Sequence, residues 1–114
     1  RKMIDYSIEE KKDVTIIHFY TNLETNVISE AEKVWNMVLE KKPTILALDF
    51  TRIEFVDSLG LSHLVKLTKN SIIKDVELIF FGTSASVKSL FAMATLDKFF
   101  NIMSKATFEN QYLQ

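Results

Sequence analysis

A chain of 114 residues with 47% hydrophobic content can bury one sizeable core and has no need of a second, so residues 1–114 are expected to form a single domain. Fourteen basic residues stand against fifteen acidic ones, and the lysines are scattered or mixed with acids, as in EEKKD, which excludes a basic face for nucleic acid and direct membrane insertion. Zero cysteines exclude disulfides, thiolate chemistry and cysteine-ligated zinc.

No signal peptide and no apolar span of membrane length is read in the sequence; the most apolar run, VELIFF, is broken by Glu77. The expectation is a soluble, cytoplasmic protein. An opening of Arg1-Lys2-Met3 implies a chain trimmed from a longer parent or carrying a short added leader. Residues 3–8 are a candidate edge strand beside residues 14–20 (VTIIHFY), the first of three runs rich in β-branched and aromatic residues. A first helix is expected to open at Ser29, whose spacing to Glu32 is that of a capping box, with Ala31, Val34, Trp35, Val38 and Leu39 as its apolar stripe. Pro43 then ends it.

Residues 45–50 (ILALDF) are nearly continuous in apolar character, as strands buried on both faces are. After the connection TRIEFVD, a second helix places Leu61, Leu64, Val65 and Thr68 on one side and Ser62, His63, Lys66 and Lys69 on the other. Residues 76–81 (VELIFF) make the third long strand. The loop Gly82-Thr83-Ser84 supplies cap formers to a third helix, where Val87, Leu90, Phe91 and Ala94 repeat the helical spacing. Residues 101–104 are a candidate short strand and residues 107–113 a final amphipathic helix. Strands alternating with helices of this length imply an α/β layered fold: a mostly parallel central sheet, right-handed βαβ crossovers and helices packed on it, with one covered face sufficient at this size.

Reactive groups in open parallel sheets collect at the carboxyl ends of the strands, and Ser58 lies just past such an end, where the second helix begins. Asp57 or Ser58 would be the N-cap. Gly60, in the first helical turn, is expected to open access to backbone N–H groups, an arrangement that suits a phosphate. Read alone, Ser58 is a plain cap worth about 1 kcal/mol. A nucleophile elbow needs Gly-x-Ser-x-Gly, yet the residues two away from Ser58 are Val56 and Gly60, and no Gly-rich loop with Lys-Ser/Thr cradles a nucleotide. His18 and His63 have no partner at metal-ligand or triad spacing and are expected to be structural. Neither a metal nor a cofactor is expected. Asp49 is expected to accept N–H bonds from its loop, Thr51 to be a turn residue, and the nine phenylalanines to fill the core.

Two segments together carry a resemblance to a family. LALDFTRIEFVDSLGL presents Asp49, Thr51, Asp57, Ser58, Gly60 and Leu61, and VKSLFAMATLDKFF presents Val87, Leu90, Phe91, Leu96 and Lys98. In these the chain resembles the bacterial anti-sigma factor antagonists, which share the STAS domain (sulfate transporter and anti-sigma factor antagonist), over nearly its whole length. The resemblance implies a STAS-like fold and a non-enzymatic, partner-switching role in the regulation of transcription. In its unphosphorylated form such a protein binds an anti-sigma factor that is also a serine kinase and so frees a sigma factor. Phosphorylation at Ser58 would end that binding and a serine phosphatase would restore it. Asp57, Ser58, Leu59, Gly60, Ser62 and Glu24 are the implied partner-binding residues. Alternatives are a STAS scaffold or accessory subunit in a stress-signalling or membrane-transport assembly, and an enzyme acting on a small ester or nucleotide. The chain departs from the family pattern at Leu59, which replaces a second serine, and at Asp75 and Thr95, which replace glycines. In the turn Thr21-Asn22-Leu23-Glu24 the family glycine is missing while the leucine and a carboxylate remain.

Overall fold

The computed structural model describes residues 3–114, so the expectation attached to Arg1 and Lys2 lies outside the described residues. In chain order the elements are β1 (Tyr6–Lys11), β2 (Val14–Phe19), α1 (Ile28–Glu40), β3 (Ile45–Asp49), α2 (Ser58–Ile73), β4 (Glu77–Phe81), α3 (Ala85–Met93), β5 (Ile102–Met103) and α4 (Lys105–Tyr112). They form one five-stranded sheet of order β1-β2-β3-β4-β5, in which β1 is antiparallel to β2 and every later pair is parallel. This is the α/β layered architecture expected.

Period-2 alternation divides the strands between two cores. Ile17, Phe19, Leu46, Leu48, Leu78 and Phe80 point to the face covered by α1, α2 and α3. Val14, Ile16, Ala47, Ile79 and Phe81 point to the opposite face, where Phe108 of α4 covers them, its ring stacked on Phe81 at 4.2 Å. One covered face would suffice at this size, yet both are covered. Three crossovers of one hand running in one direction must share a face, and the apolar side chains left on the other face need a lid, which α4 provides. Trp35 packs edge-on against Phe19 at 6.3 Å, and Phe50 against Phe80 at 5.4 Å, contacts worth about 0.5–1.5 kcal/mol each beyond area burial.

Among the element boundaries that differ from expectation, two have a clear physical reason. The edge strand is Tyr6–Lys11 instead of residues 3–8, because the two-residue turn at Lys12 and Asp13 pairs Lys11 with Val14 and thereby sets the register. Helix α1 begins at Ile28 after Val27, with no side-chain cap, so the Ser29–Glu32 capping box does not form. Val27 and Ile28 are buried, and both donate their N–H to the Glu24 carbonyl at 2.9 Å, which winds the chain into the helix early. Glu32 turns to α2, where it meets His63 Nδ1 at 2.7 Å and Lys66 Nζ at 3.4 Å.

Left-handed backbone occurs, among other positions, at Asp75 (φ 58°) and Thr95 (φ 59°), two of the places where the resemblance implies a glycine, the residue best suited to it. Among the described residues no helix is long and apolar enough to cross a membrane.

Candidate functional site

Ser58 occupies the first position of α2, and Asp57 before it is the N-cap, with extended backbone (φ −86°, ψ 177°). Asp57 Oδ1 accepts the Gly60 N–H at 2.8 Å, as a capping carboxylate does. Its Oδ2 accepts the N–H and the hydroxyl of Thr25, each at 2.7 Å. Burial works to raise the Asp57 pKa, but the bonds from Gly60, Thr25 and the Leu59 N–H together hold it below its ordinary 3.8. Both Asp57 oxygens are therefore engaged away from Ser58, whose exposed side chain takes part in none of these bonds. Asp57 fixes the place of Ser58 and does not orient its hydroxyl.

The loop from β3 to α2 is laced to the turn after β2. Asn22 Oδ1 accepts the N–H groups of Glu54 (2.9 Å) and Phe55 (3.2 Å). Leu23, fully buried, pairs with Val56 in a short parallel bridge, donating its N–H to the Phe55 carbonyl and accepting the Asp57 N–H, both at 3.3 Å. The Leu23 carbonyl explains Gly60: a Cβ there would lie 2.4 Å from that oxygen. This corrects the expectation that Gly60 opens N–H groups to a phosphate. Its own N–H is taken by Asp57, and the residue is buried, so its part is the close approach of turn and helix.

Around Ser58 the surface is apolar and small-polar. Leu59 is 43% exposed and Phe55 52% exposed, and Ser62 is exposed one turn along. Helix α2 buries Gly60, Leu64, Leu67, Thr68 and Ser71 most deeply, leaving Leu61 and Val65 half-buried. The buried stripe is wider than the one expected, adding Gly60, Leu67 and Ser71 to Leu64 and Thr68, with Leu61 and Val65 packed at its margin. Glu24 is half-buried on the neighbouring turn, beside a polar hollow that also contains Asn26, Arg52 and Glu54, with the Arg52 guanidinium 5.5 Å from the centre of the Tyr20 ring. Asp57, Ser58, Leu59 and Ser62 thus share one end of α2, and Glu24 lies on the turn that Asp57 grips.

Asp49 Oδ1 accepts the N–H (2.8 Å) and hydroxyl (2.7 Å) of Thr51, so the strand end accepts bonds from its own loop as expected. Sequence reasoning missed the partners of both histidines. His18 Nδ1 lies 2.6 Å from Asp49 Oδ2 and its Nε2 lies 2.8 Å from Glu9 Oε1, while His63 meets Glu32. Burial disfavours the charged His18 ring, yet the Asp49 and Glu9 carboxylates outweigh it and raise the His18 pKa above its ordinary 6.5. With a carboxylate on each ring nitrogen, His18 has no free nitrogen to act as a base. Among the described residues no group of three His, Asp or Glu side chains is placed to hold a metal ion.

A family model described as STAS domain matches residues 5–110. No curated protein matches the sequence. Among solved structures, an anti-sigma factor antagonist from Mycobacterium paratuberculosis is 19% identical, with a TM-score of 0.78 over 87% of this chain and 84% of that one. A Thermotoga maritima protein assigned as an anti-sigma factor antagonist is also 19% identical, with a TM-score of 0.82 over 96% and 93%. The antagonist SpoIIAA of Bacillus, 14% identical, superposes in its unphosphorylated form with a TM-score of 0.75 over 93% and 95%, and in its phosphorylated form with 0.69 over 94% and 98%. At such identities the likeness is one of fold.

Proposed function

The chain belongs to the STAS domain family, and on that premise we propose that it is a cytoplasmic anti-sigma factor antagonist switched by phosphorylation of Ser58. The observation that carries the reading is the placement of Ser58: an exposed hydroxyl at the first position of α2, beside a cap whose oxygens are committed elsewhere. In its unphosphorylated form the protein docks on an anti-sigma factor serine kinase through Ser58, Leu59 and Ser62, with Glu24 at the margin. Asp57 and Gly60 hold that edge in shape from beneath. Docking displaces a sigma factor.

Phosphate at Ser58 adds about −1.5 to −2 charge. One like-charge contact near 4 Å is worth about 4 kcal/mol at an effective dielectric of about 20. Half of that weakens binding more than tenfold. The fold tolerates the modification, since the N-terminus of a helix favours an anion. A serine phosphatase resets the switch, and the protein itself performs no chemistry.

The test is incubation with the anti-sigma factor kinase and ATP, followed by intact-mass and peptide mapping, with binding measured for Ser58→Ala and Ser58→Asp. One major phosphate at Ser58 is expected, absent in Ser58→Ala, which still binds, while Ser58→Asp binds at least severalfold more weakly. Phosphate mapped elsewhere would sink the assignment. Wild-type binding by both variants would leave Ser58 an ordinary helix residue and favour a scaffold role.

A further inference from the structure

All six residues of β1 are exposed. The strand therefore has no buried side chain to hold it, and its attachment rests on the backbone ladder with β2 and on two side-chain bonds, Ser7 Oγ to Tyr20 Oη at 2.9 Å and Glu9 to His18 at 2.8 Å. On its other side His18 meets Asp49 at 2.6 Å. Ionised carboxylates only accept hydrogen bonds, so both contacts are made together only when both ring nitrogens carry protons.

We propose that Glu9, His18 and Asp49 form a proton-operated latch on β1: the imidazolium holds the strand closed, and loss of its proton releases Glu9 while Asp49 stays in place. The asymmetry follows from burial. The Asp49 side chain is 12% exposed and its second oxygen is fixed by Thr51, whereas Glu9 is 51% exposed and has solvent to turn to. A neutral ring keeps its proton on Nδ1 for Asp49. Its bare Nε2 then faces a Glu9 oxygen, acceptor against acceptor. The other charges lining this cleft are Lys11 on β1 and Lys105 and Glu109 on α4, with the lysines opposing the cation and Glu109 favouring it.

Because the carboxylates raise the His18 pKa, the stabilisation is fully present below its ordinary 6.5 and is lost as pH rises through the raised value. The latch is independent of the reading of Ser58 and acts at a different edge of the molecule.

Residue-resolved amide exchange by NMR tests it, at pH values on either side of the midpoint read from the His18 ring resonances, with rates corrected for base catalysis. In the wild type the midpoint lies above 6.5. Above that midpoint the amides of the β1–β2 ladder exchange about tenfold faster, the effect of losing one charge-assisted bond. Amides of β3, β4 and Thr51 stay protected. In Glu9→Gln the side-chain amide accepts from the cation and donates to the neutral ring, so the pH step vanishes and the midpoint falls. Equal β1 protection on both sides of the midpoint overturns the latch, as does a step that persists in Glu9→Gln. A step shared by β3 and β4 overturns it too, because it marks global loosening.

Discussion

Thr25 and Asp57 stand 32 residues apart in the chain, yet Asp57 Oδ2 takes both the N–H and the hydroxyl of Thr25 at 2.7 Å. This pair of hydrogen bonds ties the turn after β2 to the cap of α2, and so gives Ser58 a defined position.

Asp57→Asn retains a capping oxygen but turns an amide N–H toward the Thr25 donors. A loss of about 1–2 kcal/mol is expected at neutral pH. The wild-type carboxyl has a depressed pKa, so its contribution is present above the ordinary 3.8 and disappears as pH falls through the depressed value. Urea unfolding of both proteins should show a gap at pH 7 that closes in acid. A gap of constant size would mean that the charge of Asp57 is not what the fold uses.

Gly60→Ala places a methyl 2.4 Å from the Leu23 carbonyl oxygen, a backbone atom with no rotamer to escape by. Overpacking of this kind costs about 1–3 kcal/mol, more than the roughly 1 kcal/mol that alanine gains over glycine within a helix. Thermal unfolding should show a lowered Tm together with faster amide exchange at Leu23 and Asp57. An unchanged or raised Tm would show that turn and helix separate easily.

What could be read beforehand depended on how local the cause was. The runs at β2, β3 and β4 announce themselves through their own side chains, and Ser84 caps α3 from within its own loop, accepting the Val87 N–H at 3.2 Å. Gly60 was legible as a glycine that mattered, but its reason is the carbonyl of Leu23, which only the fold brings near. His18 with Asp49 and His63 with Glu32 are each 31 residues apart, a separation at which no spacing rule operates. The unformed capping box at Ser29 is a similar case: Glu32 had a better partner on another helix.

Leu59→Ser tests the docking edge. At 43% exposure the leucine contributes little to the core, so stability should change by no more than about 0.5 kcal/mol. If the proposed docking holds, affinity for an anti-sigma factor should fall severalfold as the apolar contact is lost. Calorimetric titration alongside thermal unfolding separates the two, and a large drop in Tm with unaltered affinity would count against the proposed surface.

Thr95→Gly and Asp75→Gly should both stabilise, because each removes a Cβ from left-handed backbone. The relief is about 1–2 kcal/mol, against about 0.4–1 kcal/mol of added freedom in the unfolded chain. Threonine, being β-branched, is strained more than aspartate, so Thr95→Gly should give the larger rise in Tm. A fall in Tm for Thr95→Gly would show that its hydroxyl bond to the Ala94 carbonyl outweighs the strain.

The strands stand in the sheet in the order in which they occur in the chain. During synthesis each new strand therefore finds its neighbour already made, and the sheet can lengthen from the β1–β2 hairpin outward without waiting for distant sequence to emerge. Helix α4 is the exception. It follows all five strands in the chain yet covers Ile16 and Ala47 of β2 and β3, joins Glu77 through a 2.9 Å bond from Tyr112, and so closes a face that the nascent sheet must leave open until α4 has emerged.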